Sequence, residues 1–333
     1  MESWVRTNTP VLHYSNTPFR MATEESNTKF LQELKLIAGL TVKAAERLAR
    51  YTSMKIGGPA DYFVQVETEA ALARLLPVLN QHAITFCLLG NGSNVLVSDL
   101  GIRGAVIHLV GEFKRVEWQD AGDAVAVQVG AAAAVTQLVR EAARKGCAGL
   151  EFAEGIPGTM GGALIMNAGA YGSEFERVVE QVEAVNQTGQ AQRFSRGELK
   201  FTYRDSHLPH GIVVTRVRLR LRKAAAEEVA ARLRELVSKR KSSQPSGHPN
   251  SGSMFRNPPG DFAGRLIEAA GLKGKRIGQA QISERHANFI VNLGGAKAQD
   301  VRDLMELARS EVKRQFGIEL VAEVRLLGDW TTA

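Results

Sequence analysis

Two glycine loops carry the first residues whose types and spacing suit chemistry. Leu89-Gly90-Asn91-Gly92-Ser93-Asn94 joins two apolar runs, and Gly155-Ile156-Pro157-Gly158-Thr159 leads into Met160-Gly161-Gly162-Ala163. A glycine has no Cβ, so a ligand can approach its backbone closely. Successive N–H groups in such a turn form an anion-binding concavity. In the second loop Pro157 fixes one φ, Gly158 frees the next, and Thr159 offers a hydroxyl to a phosphate oxygen. A helix opening near Thr159 would add free N–H groups and a positive dipole end. Val95 stands where a third glycine would complete G-x-G-x-x-G, so the first loop reads as strand–loop–strand and not as a Rossmann turn. Taken alone, each loop has a competing reading as an ordinary tight turn. Together they suit a ligand with a diphosphate.

Acid–base and charge-stabilising candidates lie further along. Thr202-Tyr203-Arg204-Asp205-Ser206 packs a phenol, a guanidinium, a carboxylate and a hydroxyl into one short segment. The planar fork of Arg204 can clamp a carboxylate and stabilise developing charge; a surface ion pair with Asp205 is the competing reading. Ser253, in Gly252-Ser253-Met254-Phe255-Arg256-Asn257-Pro258, has no G-x-S-x-G elbow and no triad partners. Its hydroxyl can donate a proton to a carbanion-like centre or merely stabilise a turn. Glu323 alternates with apolar residues in Ala322–Gly328 and faces either solvent or a cleft. His286 and Asn288 precede an apolar run, and one histidine without partners is more often structural than a ligand. No metal site is expected.

Composition narrows the class. With 42 Lys and Arg against 35 Asp and Glu the net charge is +7, which favours an anionic partner. The basic residues form no single tract and lack interleaved aromatics, so an anionic small molecule is preferred over nucleic acid. The hydrophobic share is 44%, and no run is long enough to cross a bilayer. Two cysteines, Cys87 and Cys147, make neither a metal spacing nor a disulfide framework and point to a reducing cytoplasm.

The elements that must position these residues alternate irregularly. Helical spacing is read over 30–50, 67–81, 135–145, 224–241, 262–270 and 298–316. Strands are expected at 62–66, 85–89, 94–97, 105–108, 179–186, 212–222, near 281, 289–292 and 321–327, with a hairpin whose turn carries Ala121-Gly122-Asp123. Residues 242–261 form a long polar loop, which inside a folded protein is usually functional or disordered. The class is α+β. Residues 1–27, rich in Ser, Thr, Asn and Pro, are expected to be a disordered tail, with Met21 as an alternative start.

These motifs, in this order, resemble the UDP-N-acetylenolpyruvoylglucosamine reductases. The match runs from Tyr51-Thr52-Ser53-Met54-Lys55-Ile56-Gly57-Gly58 through both glycine loops, "FTYRDS", "GSMFRNP" and "SERHANFIVN" to "EVRLLG". The resemblance implies a two-part FAD-binding domain of the vanillyl-alcohol oxidase (PCMH) type and a C-terminal α+β substrate domain. The expected boundaries are 28–109 and 110–222 for the FAD-binding parts and 223–333 for the last. It implies FAD held by Leu89–Asn94, Gly155–Thr159, Gly162, Ala163 and Asn167. NADPH would be the reductant and UDP-N-acetylglucosamine enolpyruvate the substrate. Hydride would pass from flavin N5 to the substrate's methylene carbon. Arg204 would stabilise the resulting enolate, Ser253 would protonate the α-carbon, and Glu323 would act beside the substrate carboxylate. Tyr203, Lys241, Asn257 and His286 would contact substrate. The absence of a tyrosine-bearing insertion places the sequence in the shorter-loop branch, and a monomer is expected. Two rivals remain at this point, an oxidase on the same scaffold and a nucleotide-binding regulator without chemistry. Neither glycine loop contains the His or Cys that covalent flavin attachment in an oxidase would need, and a regulator gains nothing from Arg204, Ser253 and Glu323 together.

Overall fold

A computed structural model describes residues 24–331, with side chains from residue 27 onward. Helix α1 (Glu24–Lys35) leads into strand β1 (Leu40–Arg47) and then β2 (Pro59–Val66). The helix expected over 30–50 therefore stops at Lys35. From Leu40 the chain pairs antiparallel with β2, Leu40 opposite Val66 and Arg47 opposite Pro59, and this ladder overrides local helix propensity. The expected tail overlaps α1 at residues 24–27; its remainder lies outside the described residues.

Helix α2 (Glu69–Gln81) buries Leu72, Leu75, Leu76 and Leu79 on one face, and the Thr68 side chain caps it by accepting from the Ala71 N–H. Strands β3 (Phe86–Leu88) and β5 (Ile102–Leu109) complete the first sheet, ordered β1-β2-β5-β3, with β5 parallel to both β2 and β3. Between them β4 (Val95–Val97) leaves this sheet altogether. The loop Leu89–Asn94 is thus the passage between two sheets, as its strand–loop–strand reading requires.

The second sheet is antiparallel. Its hairpin β6 (Val116–Ala121) and β7 (Ala124–Gly130) turns at Gly122, whose φ of +75° favours glycine. Helix α3 (Val135–Arg144) follows, then the short β8 (Cys147–Ala148), helix α4 (Met160–Ile165) and the small hairpin β9 (Gly169–Ala170) and β10 (Ser173–Glu174). Strands β11 (Val179–Val185), β12 (Ala191–Ser195) and β13 (Val213–Lys223) finish the sheet in the order β12-β11-β13-β7-β6. Helix α5 (Ala226–Ser243) then crosses to a third sheet.

That sheet contains β14 (Asn250–Ser253), β15 (Arg276–Ile277), β16 (Ala280–Ile282) and β17 (Phe289–Asn292), ordered β14-β17-β16-β15. Helices α6 (Ala263–Ala269) and α7 (Ala298–Phe316) cover it. The long polar loop expected over 242–261 therefore holds a strand, and Ser253 ends it. Strand β18 (Arg325–Leu327) returns to pair in parallel with β4, Arg325 opposite Val95 and Leu327 opposite Val97. Leu96 of β4 packs into the same core as Met254, Leu266 and Val301. Both oxygens of Asp99 accept from the first N–H groups of α7, at 2.9 Å from Ala298 and 3.1 Å from Gln299, where a negative charge is favoured. The first glycine loop and the last strand are fastened together by these contacts. The observed class is α+β.

Candidate active site

The two glycine loops meet face to face. Ser93 Oγ donates to the Pro157 carbonyl at 3.0 Å. A Cβ on Gly158 would stand 2.9 Å from Ser93 Oγ, and one on Gly90 would stand 2.6 Å from Thr159 Oγ1. Gly92, at φ +57°, sits so close to Tyr51 that a Cβ would come within 2.4 Å of its carbonyl oxygen. Thr159 caps α4, its hydroxyl accepting from the Gly162 N–H at 3.4 Å. Behind the first loop, the partly buried ring of His108 donates from Nδ1 to the Leu89 carbonyl at 2.7 Å.

Gly90→Ala should therefore do more than a surface Gly→Ala change. Overpacking of this kind costs about 1–3 kcal/mol, and the methyl group would push Thr159 from its cap. We expect a lower melting temperature and roughly tenfold weaker FAD uptake, a factor corresponding to about 1.4 kcal/mol, which lies within that range. Titration of apoprotein with FAD, followed by flavin fluorescence, checks this. Unchanged affinity would remove the contact between the loops from the binding site.

Both loops line a cleft of about 540 Å³. Its opposite wall comes from Arg204, Ser253, Glu323 and Arg325. Arg204 sits in a tight turn in which Thr202 and Asp205 exchange backbone hydrogen bonds at 2.9 and 3.1 Å. Its φ is +63°, a left-handed conformation that costs a residue with a Cβ about 1–3 kcal/mol and persists only where its surroundings enforce it. The enforcement is visible. Arg204 Nη1 donates to the Gly169 carbonyl at 3.2 Å, its guanidinium lies 5.0 Å from the Tyr203 ring centroid, and Nε stands 2.8 Å from Glu323 Oε1. The Nε–H is not aligned on that oxygen, so the contact is an ion pair and not a directed hydrogen bond.

Glu323 is fixed by its backbone. Its N–H donates to the Met254 carbonyl at 2.8 Å and its carbonyl accepts from Asn94 Nδ2 at 3.2 Å. The first bond sets Glu323 beside Ser253; the second ties it to the first glycine loop. Burial pushes the Glu323 carboxyl above the usual range, while the nearby charges of Arg204 and Arg256 pull it back. Ser253 follows Gly252, whose φ of +77° bulges β14 out of register with β17. Arg325, buried, has its guanidinium lowered to about 10 by desolvation, with Asp205 opposing and Arg256 reinforcing that shift.

The cleft thus gathers the two loops with Arg204, Ser253 and Glu323, but several expected contacts lie elsewhere. Asn167 is fully buried behind the wall. Its amide donates to the Thr202 carbonyl at 3.1 Å and its carbonyl oxygen accepts from the Glu176 N–H at 3.0 Å, so it braces the Arg204 turn. Asn257 holds the start of α6 by accepting from the Ala263 N–H at 3.1 Å. His286 packs edge-on to Phe289 and against Gly264, with burial lowering its pKa. Lys241 lines a separate groove between α3 and α5 with Gln137, Arg140 and Arg144. Tyr203 is half exposed beneath Arg204 and lines no part of the cleft. Their local turn and cap chemistry uses the side chains that the motifs offered. Conversely, Arg240, Ser251 and Arg325 line the cleft unforeseen. Arg240 Nη1 donates to the Gly155 carbonyl, a contact from a distant helix that no local pattern signals. Among the described residues, no cluster of His, Cys, Asp and Glu suits a metal ion, and no helix is long and apolar enough to cross a membrane.

The cleft suits a large, polar, anionic cofactor. Of nine buried side-chain N and O atoms without a hydrogen-bond partner among the described residues, four belong to its lining: Arg204 Nε, which is ion-paired with Glu323, and Arg240 Nε, Ser251 Oγ and Arg325 Nη2, which have no such pairing there. Buried polar groups are normally satisfied, so this concentration marks where a ligand's acceptors and donors belong.

Comparison with known proteins agrees. A family model described as FAD binding domain matches residues 60–195 and so spans most of the first two sheets. A second, described as UDP-N-acetylenolpyruvoylglucosamine reductase, C-terminal domain, matches residues 244–327. UDP-N-acetylenolpyruvoylglucosamine reductase 2 of Symbiobacterium thermophilum is 47% identical over 288 residues, covering 86% of this chain and 92% of that protein. The reductase of Heliobacterium modesticaldum is 46% identical over 286 residues, covering 85% and 90%. The crystal structure of the Thermus caldophilus reductase superposes with a TM-score of 0.75 at 42% identity, covering 86% of this chain and 99% of that one. With its FAD-type cleft walled by Arg204, Ser253 and Glu323, the chain belongs to the UDP-N-acetylenolpyruvoylglucosamine reductase family.

Proposed function

We propose that this protein reduces the enolpyruvyl ether of UDP-N-acetylglucosamine to UDP-N-acetylmuramate, an oxidoreductase step of peptidoglycan precursor synthesis, with FAD resident and NADPH as the reductant. The observation that carries the reading is the Arg204–Glu323 ion pair at 2.8 Å on the wall of a cleft shared by Ser253 and both glycine loops. Gly90–Asn94 and Gly155–Thr159 would hold the FAD pyrophosphate, with Gly162 and Ala163 of α4 beside it. When bound, FAD supplies hydride to the substrate's methylene carbon.

The remaining work falls to the chain's own residues. Arg204 presents its guanidinium to the substrate carboxylate and stabilises the enolate charge as it develops. Glu323 holds that guanidinium in place, and the αL turn spares it reorganisation during the reaction. Ser253 donates the proton to the α-carbon. Three guanidinium groups, Arg204, Arg256 and Arg325, interact electrostatically with one another or with Glu323 in this region, and their positive field lowers the cost of serine ionisation. Tyr203, Lys241, Asn257 and His286 would contact substrate and Asn167 FAD, as family membership implies, although none of them lines the cleft. The three larger sheets centre one in each of the divisions 28–109, 110–222 and 223–333, while the β4–β18 pair crosses from the first to the last. Cys87 and Cys147, both free and buried, fit a reducing cytoplasm.

Stopped-flow flavin absorbance tests this reading directly. Anaerobic NADPH should bleach the bound FAD, and UDP-N-acetylglucosamine enolpyruvate should restore its colour. Bleaching without recovery would indicate a different substrate on the same scaffold. Protein that takes up no FAD would overturn the proposal.

A further inference from the structure

The last strand places a second arginine in the cleft. Glu323 and Arg325 both face it, while Val324 between them is buried in the core of the third sheet, as the two-residue period of extended chain requires. The Arg325 N–H donates to the Asn94 carbonyl at 3.0 Å, and its residue pairs with Val95 in the β18–β4 ladder. Arg325 is therefore held as rigidly as Glu323, from the same glycine loop. It is also much more deeply placed. Its relative exposure is 4%, and its Nη2 has no hydrogen-bond partner among the described residues. The other charges that act on it are Asp205, which favours its cation, and Arg256, which opposes it. A guanidinium does not shed its proton at neutral pH, and a buried cation without an acceptor is costly. Counting Arg204, Arg256 and Arg325 against Glu323 and Asp205 leaves one positive charge uncompensated.

Resting on the reductase reading above, we propose that Arg325 is a further anion-holding residue of this cleft, donating to a negatively charged atom of either the reduced cofactor ring or the substrate carboxylate. Its role is distinct from that of Arg204, which already has a carboxylate partner on the protein. Among the described residues Arg325 has none at hydrogen-bond distance, so its acceptor is supplied by what binds.

Arg325→Gln, loaded with FAD, distinguishes the two sources. The midpoint potential of the bound flavin would be measured by dye equilibration, and substrate affinity by the flavin difference spectrum without NADPH. If the acceptor is the cofactor, the variant binds reduced FAD at least about tenfold more weakly relative to oxidised FAD, a fall of about 30 mV for a two-electron couple. Substrate affinity then stays unchanged. If the acceptor is the substrate carboxylate, the potential stays and the substrate dissociation constant rises at least about tenfold, the 1.4 kcal/mol scale of one charge-assisted hydrogen bond. Neither change, in a variant that retains FAD, overturns the assignment. Should Arg325→Gln fail to retain FAD, Arg325→Lys is read instead. Its shorter, point-like ammonium cannot reproduce the planar fork and has to shift one of the two quantities. Unaltered values in both would overturn the proposal. Wild-type protein that takes up no FAD would instead overturn the reductase reading itself, before any variant is compared.

Discussion

Arg204→Met is expected to slow substrate reduction about 10²–10³-fold, the usual loss for one preorganised charge-stabilising donor, while NADPH still bleaches the flavin at a near-normal rate. The reasoning is geometric. Arg204 is aimed by a left-handed backbone conformation, a hydrogen bond to Gly169 and the Glu323 carboxylate, all set before substrate arrives. A methionine keeps the bulk of the side chain and removes only the charge and the fork. The same substitution has a second, independent signature. Burial raises the Glu323 pKa and Arg204 lowers it, so removing Arg204 should push it further up. In the intact pair the glutamate must be ionised, so wild-type activity should fall as pH drops through that pKa. In Arg204→Met this acid limb should disappear, and the raised Glu323 pKa is read directly from its carboxyl band by infrared difference spectroscopy. Glu323→Gln should remove that limb. The double variant should cost little more than Arg204→Met alone, since groups acting as a unit are not additive. An acid limb retained in Arg204→Met would mean that the ion pair does not form in the working enzyme.

The catalytic wall was legible in the sequence only through motif order, and the reason is physical. Arg204, Ser253 and Glu323 lie on a tight turn, a bulged edge strand and an approach to the last strand, far apart along the chain. Backbone pairing between 254–256 and 321–324 brings Ser253 to Glu323, and the Arg204 turn joins them only through its side-chain ion pair, which leaves no local periodicity to read. The glycine loops were easier, because close backbone approach demands glycine whatever the ligand. Their mutual contact through Ser93 and Thr159 was not legible, since it depends on how the first two sheets dock. Helices with one clean apolar face, such as α2, α3 and α7, were recovered nearly to their ends. β1 was misread because its exposed residues carry helix-compatible types, and only the β2 ladder makes them a strand. Asn167, Asn257 and His286 show the converse limit. The family resemblance marked them as ligand-binding groups, yet each is occupied by backbone or packing contacts outside the cleft. Arg325 carries no local sign of its place either: alternation leaves the face of this strand open, and the β4–β18 pairing sets it toward the cleft.

Ser253→Ala should separate the two half-reactions. Reduction of the flavin by NADPH needs no proton at the substrate's α-carbon and should stay near its normal rate. Reoxidation by the enolpyruvyl substrate should slow at least about 100-fold, within the range that loss of a positioned general acid costs. The substitution is structurally mild. Ser253 ends β14, and its backbone pairing with Phe289 does not depend on the hydroxyl. The two half-reactions can be followed in one double-mixing stopped-flow trace of flavin absorbance, with product configuration read by NMR after reaction in deuterium oxide. In the wild-type protein, deuterium should enter the α-carbon on one face only. If Ser253→Ala slows both half-reactions equally, the serine positions ligands and the proton comes from another group. If it slows only reoxidation and the residual product is racemic at the α-carbon, protonation has passed to water, and Ser253 is the group that gave it both speed and direction.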